Sequence, residues 1–263
     1  MNVGWLETSF PVADVERTSA WYQKLGFQVV DTADEGKNLT LEAGDCRLGL
    51  YQAILDPDAP QLIFWNGDVE ACAEKLAAAG AEILPNPHAS GTESPKGLAK
   101  RPNGDASLMV RDPDGQPIYL IRMAAAMHRR AAPGTGLDRG FFQVSLPVKD
   151  PDRTAAFYEL LGFRRKPSDD PRVAPLTNGD CRICLYQGYL DPDELQLNFW
   201  QGDIDAVAAV ARRGGMSFYR EPSGDGAGAA FMLTDPDGRP AFFINMKKYS
   251  AADFVSEAGE MLA

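Results

Sequence analysis

The polarity pattern opens on an extended stretch at residues 5–12 and then changes period. Asp14 is a good helix N-cap, residues 17–25 follow helical spacing, and Gly26 ends the helix. Residues 27–32, 38–42 and 47–52 alternate as strands, with Gly44-Asp45 marking a turn. Residues 61–65 read as a further strand. Asp68 then caps a second helix in which Val69, Cys72, Leu76 and Ala79 share a face, and Gly80 stops it. Ile83, residues 108–110 and residues 118–121 supply three more strands. The order is strand, helix, three strands, and then the same again: a βαβββ unit used twice.

The whole pattern then recurs. SFPVADVERTSAWYQKLGF (9–27) matches SLPVKDPDRTAAFYELLGF (145–163), and GDCRLGLYQ (44–52) matches GDCRICLYQ (179–187). LDPDAPQLIFWNGD (55–68) matches LDPDELQLNFWQGD (190–203), and DPDGQPIYLI (112–121) matches DPDGRPAFFI (235–244). The offset is 135 at Gln61/Gln196 and 123 at Asp112/Asp235, so the second copy lacks 12 residues (135 − 123). The first copy carries them in PNPHASGTESPKGLAKRPNGD (85–105), polar and Gly/Pro-rich, hence a loop or lid. The domains expected are 1–123 and 139–246, with a linker at 124–138 and a C-terminal tail, 247–263, read as helical.

Composition narrows the partners. With 26 Lys+Arg against 37 Asp+Glu the net charge is −11, which argues against a nucleic acid partner and is compatible with a cationic or neutral small ligand. No apolar run approaches the roughly 20 residues of a membrane helix, and the N-terminus has no secretory pattern. The four cysteines, Cys46, Cys72, Cys181 and Cys184, lack zinc-site spacing. The expectation is a cytoplasmic protein with a small-molecule ligand and no membrane partner, either a two-domain monomer or a homodimer.

The PVADVERTSAWYQKLGF and PVKDPDRTAAFYELLGF segments, QLIFWNGDVEACAEKLAAAGAEI and both DPDG endings resemble the vicinal oxygen chelate (VOC) superfamily. That superfamily includes glyoxalase I, bleomycin-resistance proteins and extradiol dioxygenases. The resemblance implies an α+β fold, a tandem duplication of the glyoxalase/bleomycin-resistance/dihydroxybiphenyl dioxygenase-like fold. Each domain would pair two βαβββ modules into a half-open barrel around a cavity. Metal-dependent members take ligands from the first strand (His or Gln), the fifth strand (His or Glu) and the last strand (Glu). Those positions fall on Glu7, Gln61 and Tyr119 in the first copy and on Gln143, Gln196 and Phe242 in the second. A ferrous site of this type needs two imidazoles and a carboxylate. The two histidines, His88 and His128, fall in the long loop and the linker. The expectation is no metal and no other cofactor, the alternative being a divalent ion held in the first copy.

Alternation along the strands lists the cavity face. Glu7 and Ser9 point in together, as do Gln143 and Ser145. If Leu48 and Leu50 pack on helices, Arg47 and Tyr51 enter the cavity, as Arg182, Cys184 and Tyr186 do in the second copy. Gln61, Ile63 and Trp65 share a face, matched by Gln196, Asn198 and Trp200, and Tyr119 and Phe242 complete the two floors. Arg47 could grip a carboxylate or phosphate, or pair internally with Glu7; Trp65 and Trp200 could wall a ligand site or fill the core. Two functions follow. One is metal-independent binding of an aromatic or planar metabolite or antibiotic, as in the bleomycin-resistance branch. The other is a VOC-type enzyme, glyoxalase-like or dioxygenase-like, using Glu7 as base or ligand in the first copy.

Overall fold

A computed structural model describes residues 2–52, 55, 59–86, 92–93, 97–124, 136–192, 194–224 and 228–246. The first copy contains β1 (Gly4–Pro11), α1 (Val15–Lys24), β2 (Gln28–Ala33), β3 (Asn38–Ala43), β4 (Cys46–Tyr51) and β5 (Gln61–Asn66). It continues with α2 (Val69–Ala78), β6 (Ile83–Leu84), β7 (Thr92–Glu93), β8 (Ala99–Lys100), β9 (Ala106–Arg111) and β10 (Pro117–Arg122). The second copy contains β11 (Gly140–Pro147), α3 (Pro151–Leu160), β12 (Arg164–Arg165), β13 (Val173–Asn178) and β14 (Cys181–Tyr186). It ends with β15 (Gln196–Gln201), α4 (Ile204–Arg213), β16 (Phe218–Ser223), β17 (Ala230–Thr234) and β18 (Pro240–Ile244). The chain is α+β with two repeated domains of the expected fold, and neither of its two sheets closes. The tail, His88 and His128 lie outside the described residues.

Each helix starts where an aspartate is placed to cap it. Asp14, Asp68, Asp150 and Asp203 each accept from a backbone N–H of the first turn, at 2.9–3.2 Å, which satisfies donors that the helix itself leaves unpaired. The segment 85–105, expected as a loop, is partly paired. β7 and β8 form a hairpin, and β8 extends the sheet with Ala99 opposite Ser107 on β9. The open edge of β9 offers hydrogen bonds that a polar loop would otherwise find only in water.

The chain divides into two compact units that interleave along the sequence. The first unit comprises Met1–Pro11, Ile54–Arg130 and Pro147–Pro192. In it β1 runs antiparallel to β5, β5 parallel to β10, and β10 antiparallel to β9. The same unit holds α2, α3 and the meander β12-β13-β14. The second unit comprises Val12–Ala53, Ala131–Leu146 and Asp193–Ala263. It repeats the scheme with β11, β15, β18 and β17 as the ribbon, joined by α1 and the meander β2-β3-β4. Each unit therefore combines the floor ribbon of one copy with the first helix of the other.

The DPDG turns hold these combinations together. In the first unit the Asp112 carboxylate accepts from Asp114 N and Gln116 N, both at 2.9 Å, and from the Tyr158 hydroxyl of α3 at 3.2 Å. Asp114 accepts from Thr154 Oγ1 at 2.5 Å and from Lys149 N at 2.9 Å. In the second unit Asp235 accepts from Tyr22 at 3.1 Å, and Asp237 accepts from Thr18 at 2.6 Å and Ala13 N at 3.0 Å. Aromatic edges pack beside each clamp: Phe64 meets Phe163 at 5.8 Å, and Phe27 meets Phe199 at 6.3 Å.

One letter separates the two clamps electrostatically. Arg239 follows the second glycine and pairs with Asp235 at 3.1 Å, whereas its counterpart is Gln116, a neutral side chain. Burial therefore pushes the Asp112 carboxyl up to about 6. A carboxyl that holds its proton more tightly when folded stabilises the fold below about pH 4 and loses that contribution as pH rises through about 6, a swing of ~3 kcal/mol. Urea unfolding at pH 5 and pH 7.5 is expected to show this dependence in the wild type and less of it in Asp112→Asn. Asp235→Asn, which takes Arg239 from its buried partner, is expected to cost about 2 kcal/mol at pH 7.5.

Candidate functional site

The first-copy floor is set by strand register. Glu7 on β1 lies opposite Ile63 and Ser9 opposite Gln61, so these side chains share one face with Trp65. On the other side of β5, Tyr119 registers with Ile63 and Ile121 with Trp65. Beyond β10, Met109 lies opposite Tyr119 and Ser107 opposite Ile121. Ile63, Met109 and Tyr119 form a buried apolar cluster against which Trp65, Leu84 and Ile121 pack. Glu7 and Ser9 are fully buried, with the Ser9 hydroxyl donating to Glu7 Oε1 at 3.0 Å.

A cavity of about 310 Å³ opens on this face. Trp65, Tyr119, Ile121 and Met123 give it aromatic and apolar walls, while Ser107, Arg101, Asp105 and Arg122 are its polar members. Tyr119 donates to Asn86 Oδ1 at 3.1 Å, and Asn86 Nδ2 donates to Ser107 Oγ at 2.7 Å. Arg122 forms a bidentate pair with Glu70, at 2.5 and 2.7 Å, which holds the Glu70 carboxyl below its usual range. Asp105 is likewise held low, first by the Ala124 N–H and then by the Asn103 amide.

The second-copy floor repeats the register with a different outcome. Gln143 lies opposite Asn198, Ser145 opposite Gln196, and Phe242 beside Asn198. Here the polar groups satisfy each other: Gln196 donates to Asn198 Oδ1 and Asn198 to Ser145 Oγ, both at 2.7 Å. Trp200 Nε1 donates to Gln143 Oε1 at 3.1 Å, and its ring stacks on Phe141. The matching Trp65 Nε1 is buried with no acceptor among the described residues.

The β3–β4 residues occupy other surroundings. Leu48 and Leu50 are fully buried, and Arg47 faces the opposite side of its strand. Its guanidinium donates to Glu42 Oε1 at 2.5 Å, with both side chains buried. Glu42 went unnoticed in the sequence, although the Gly44-Asp45 turn sets it directly opposite Arg47. Arg182 lies opposite Thr177 and donates to the Asp180 carbonyl at 3.3 Å. Tyr51 and Tyr186 are half-buried at the ends of their strands. Asn86 and Arg101 also escaped sequence reading, because they lie where no period runs. Ser107 could have been found from the alternation that puts Met109 on the floor.

The metal-ligand positions do assemble on the floors, but their chemistry does not fit a resident divalent ion. The first set is one carboxylate, one amide and one phenol, with the carboxylate and phenol already engaged by Ser9 and Asn86. The second contains no charge, and Phe242 has no donor atom. Among the described residues no group of three or more His, Cys, Asp or Glu could hold a metal. Thiol chemistry is disfavoured too, since burial pushes Cys72 up to about 11 and Cys184 to about 12.

The two tryptophans provide a paired test of the floors. Trp200→Phe strands the buried Gln143 acceptor and is expected to lower stability by about 1–3 kcal/mol. Trp65→Phe breaks no side-chain hydrogen bond among the described residues and is expected to cost less; urea midpoints of the two variants compare them directly.

A family model described as the Glyoxalase/Bleomycin resistance protein/Dioxygenase superfamily matches residues 4–120 and 140–240. Comparison with curated proteins yields no significant match. Among solved structures, the 2,3-dioxygenase LapB from Pseudomonas sp. KL28 is 15% identical, with a TM-score of 0.59 and 94% of each chain covered. The Mn(II)-bound glyoxalase from Novosphingobium aromaticivorans is 16% identical, with a TM-score of 0.58, covering 94% of this chain and 84% of that one. An extradiol ring-cleaving dioxygenase from B. fuscum is 18% identical, with a TM-score of 0.58, covering 97% and 74%. At these identities the likeness is one of fold. With both copies matched by the family model, this chain belongs to the glyoxalase/bleomycin-resistance/dioxygenase superfamily.

Proposed function

We propose that the first copy is a metal-independent binding site for a small planar or aromatic molecule. The observation that carries this reading is the difference between the two floors. In the second, Trp200, Gln143, Asn198, Ser145 and Gln196 engage one another. In the first, the corresponding Trp65 has an N–H without an acceptor among the described residues and walls a cavity with Tyr119 and Ile121. A volume of about 310 Å³ stands at the small end of the roughly 300–1,000 Å³ typical of small-molecule sites. It suits a ligand of one or two rings, held by aromatic faces that contribute area without much loss of rotamer freedom.

An enzymatic reading draws on a separate observation. Glu7 is a wholly buried carboxylate on the same floor face, placed as a base for a ligand carrying an acidic C–H or O–H. Solved neighbours are named dioxygenases and a glyoxalase. The donor set at the floor favours binding over their metal-dependent chemistry.

Calorimetric titration with 2-naphthamide, a neutral two-ring probe, tests the binding reading. Ile121→Trp fills the cavity and is expected to weaken binding at least ~10-fold, while Ile244→Trp, the equivalent change in the second copy, leaves it unchanged. The probe is expected to be recovered unaltered by mass spectrometry. Equal binding by both variants would overturn the site assignment, and turnover of cavity ligands abolished by Glu7→Gln would favour the enzyme.

A further inference from the structure

The duplication supplies an internal control for the cavity's polar groups. Tyr119, Asn86 and Ser107 form one hydrogen-bonded chain. Their second-copy counterparts are Phe242 and Ala230 at an offset of 123 and, because a register shift sets Arg220 opposite Met232 where Leu84 lies opposite Met109, Pro222 for Asn86. Strand register confirms the Ser107/Ala230 match, since Ile121 faces Ser107 and Ile244 faces Ala230. All three members of the chain are thus particular to the first copy.

The direction of the chain decides what it offers a ligand. Tyr119 gives its proton to Asn86 Oδ1, and Asn86 gives an amide proton to Ser107 Oγ. Ser107 accepts there, so its own O–H is directed elsewhere, and Ser107 lines the cavity. The serine adds a donor that has been polarised from behind.

The cavity lining itself points the same way. Among the described residues, those lining the cavity include Arg101 and Arg122 against Asp105, two cations to one carboxylate, while Glu70 and Asp68 act on Arg122 from outside the lining. Glu70 and Asp105 are committed: Glu70 to Arg122 through both oxygens, and Asp105 to Ala124 N and Asn103 Nδ2. A cationic ligand would have to break one of these contacts.

We propose that the first-copy cavity selects planar aromatic oxyanions, such as an aryl carboxylate, whose oxygen accepts from the Ser107 hydroxyl while the ring rests against Trp65, Tyr119 and Ile121. This specificity rests on the binding reading above and narrows it to a ligand class.

Three probes of one shape separate the possibilities: 2-naphthoate, 2-naphthamide and 2-(aminomethyl)naphthalene, titrated calorimetrically at pH 7.5. The expected order is carboxylate first, amide weaker, ammonium weakest, with only the carboxylate losing affinity as salt is raised. Ser107→Ala, which installs the residue that the second copy uses, is expected to weaken 2-naphthoate ~10-fold with an unchanged circular dichroism spectrum. Arg101→Gln is expected to reduce the salt dependence. Equal affinity for all three probes, tighter binding of the ammonium, or an unaffected Ser107→Ala variant would overturn the oxyanion proposal while leaving an aromatic site standing. Silence with every probe would overturn both readings.

Discussion

The architecture hangs on two carboxylate clamps. Each DPDG turn first folds on itself, its leading aspartate capping the backbone N–H groups two and four residues on. The same aspartate then takes a tyrosine hydroxyl from the first helix of the other copy, and the aspartate two residues later takes a threonine. Those partners are the Thr and Tyr of the RTSAWY and RTAAFY segments, four residues apart and so on one helix face. A turn that is ordinary within its own hairpin is thereby the contact that brings distant segments into one compact unit. The exchange is reciprocal, which explains why both copies keep the aspartates, the threonine and the tyrosine together.

Duplication also exposes where the two halves diverged. Replacing Arg239 by Gln at position 116 removes a cation from beside a buried carboxyl, and Asp112 responds by holding its proton to about pH 6. Replacing Phe242 by Tyr at position 119 adds a hydroxyl that needs a buried partner, and Asn86 provides it. On the floors, Glu7 against Gln143 and Ile63 against Asn198 replace the amide network, and among the described residues Trp65 Nε1 then has no acceptor. Each change is a single side chain on an unaltered strand. The strand pairing is thus kept while the floor side chains change.

The floor faces were legible from sequence because strand alternation is a strict period of two, and one register pair, Ser9 opposite Gln61, orders the rest. The tandem repeat and its βαβββ order were legible for a similar reason, since two copies of one pattern confirm each other. Asn86, Arg101 and Asp105 were not, because they belong to a segment without periodicity whose path depends on β8 joining β9. Glu42 was hidden differently: a lone glutamate in a strand reads as a solvent-facing residue until its cross-strand Arg47 is known to be buried with it.

By itself the sequence determined the elements, the duplication and the family, because propensity, capping and hydrophobic period are local properties that each copy writes out twice. It also determined that the floor positions carry a carboxylate, amides, a phenol and a phenylalanine instead of imidazoles. Only the tertiary structure decided which helix each DPDG turn engages, which polar groups on a floor satisfy one another, and which donor is left over. Those outcomes depend on contacts between residues far apart in the chain, where distance and burial rather than residue type set the energy.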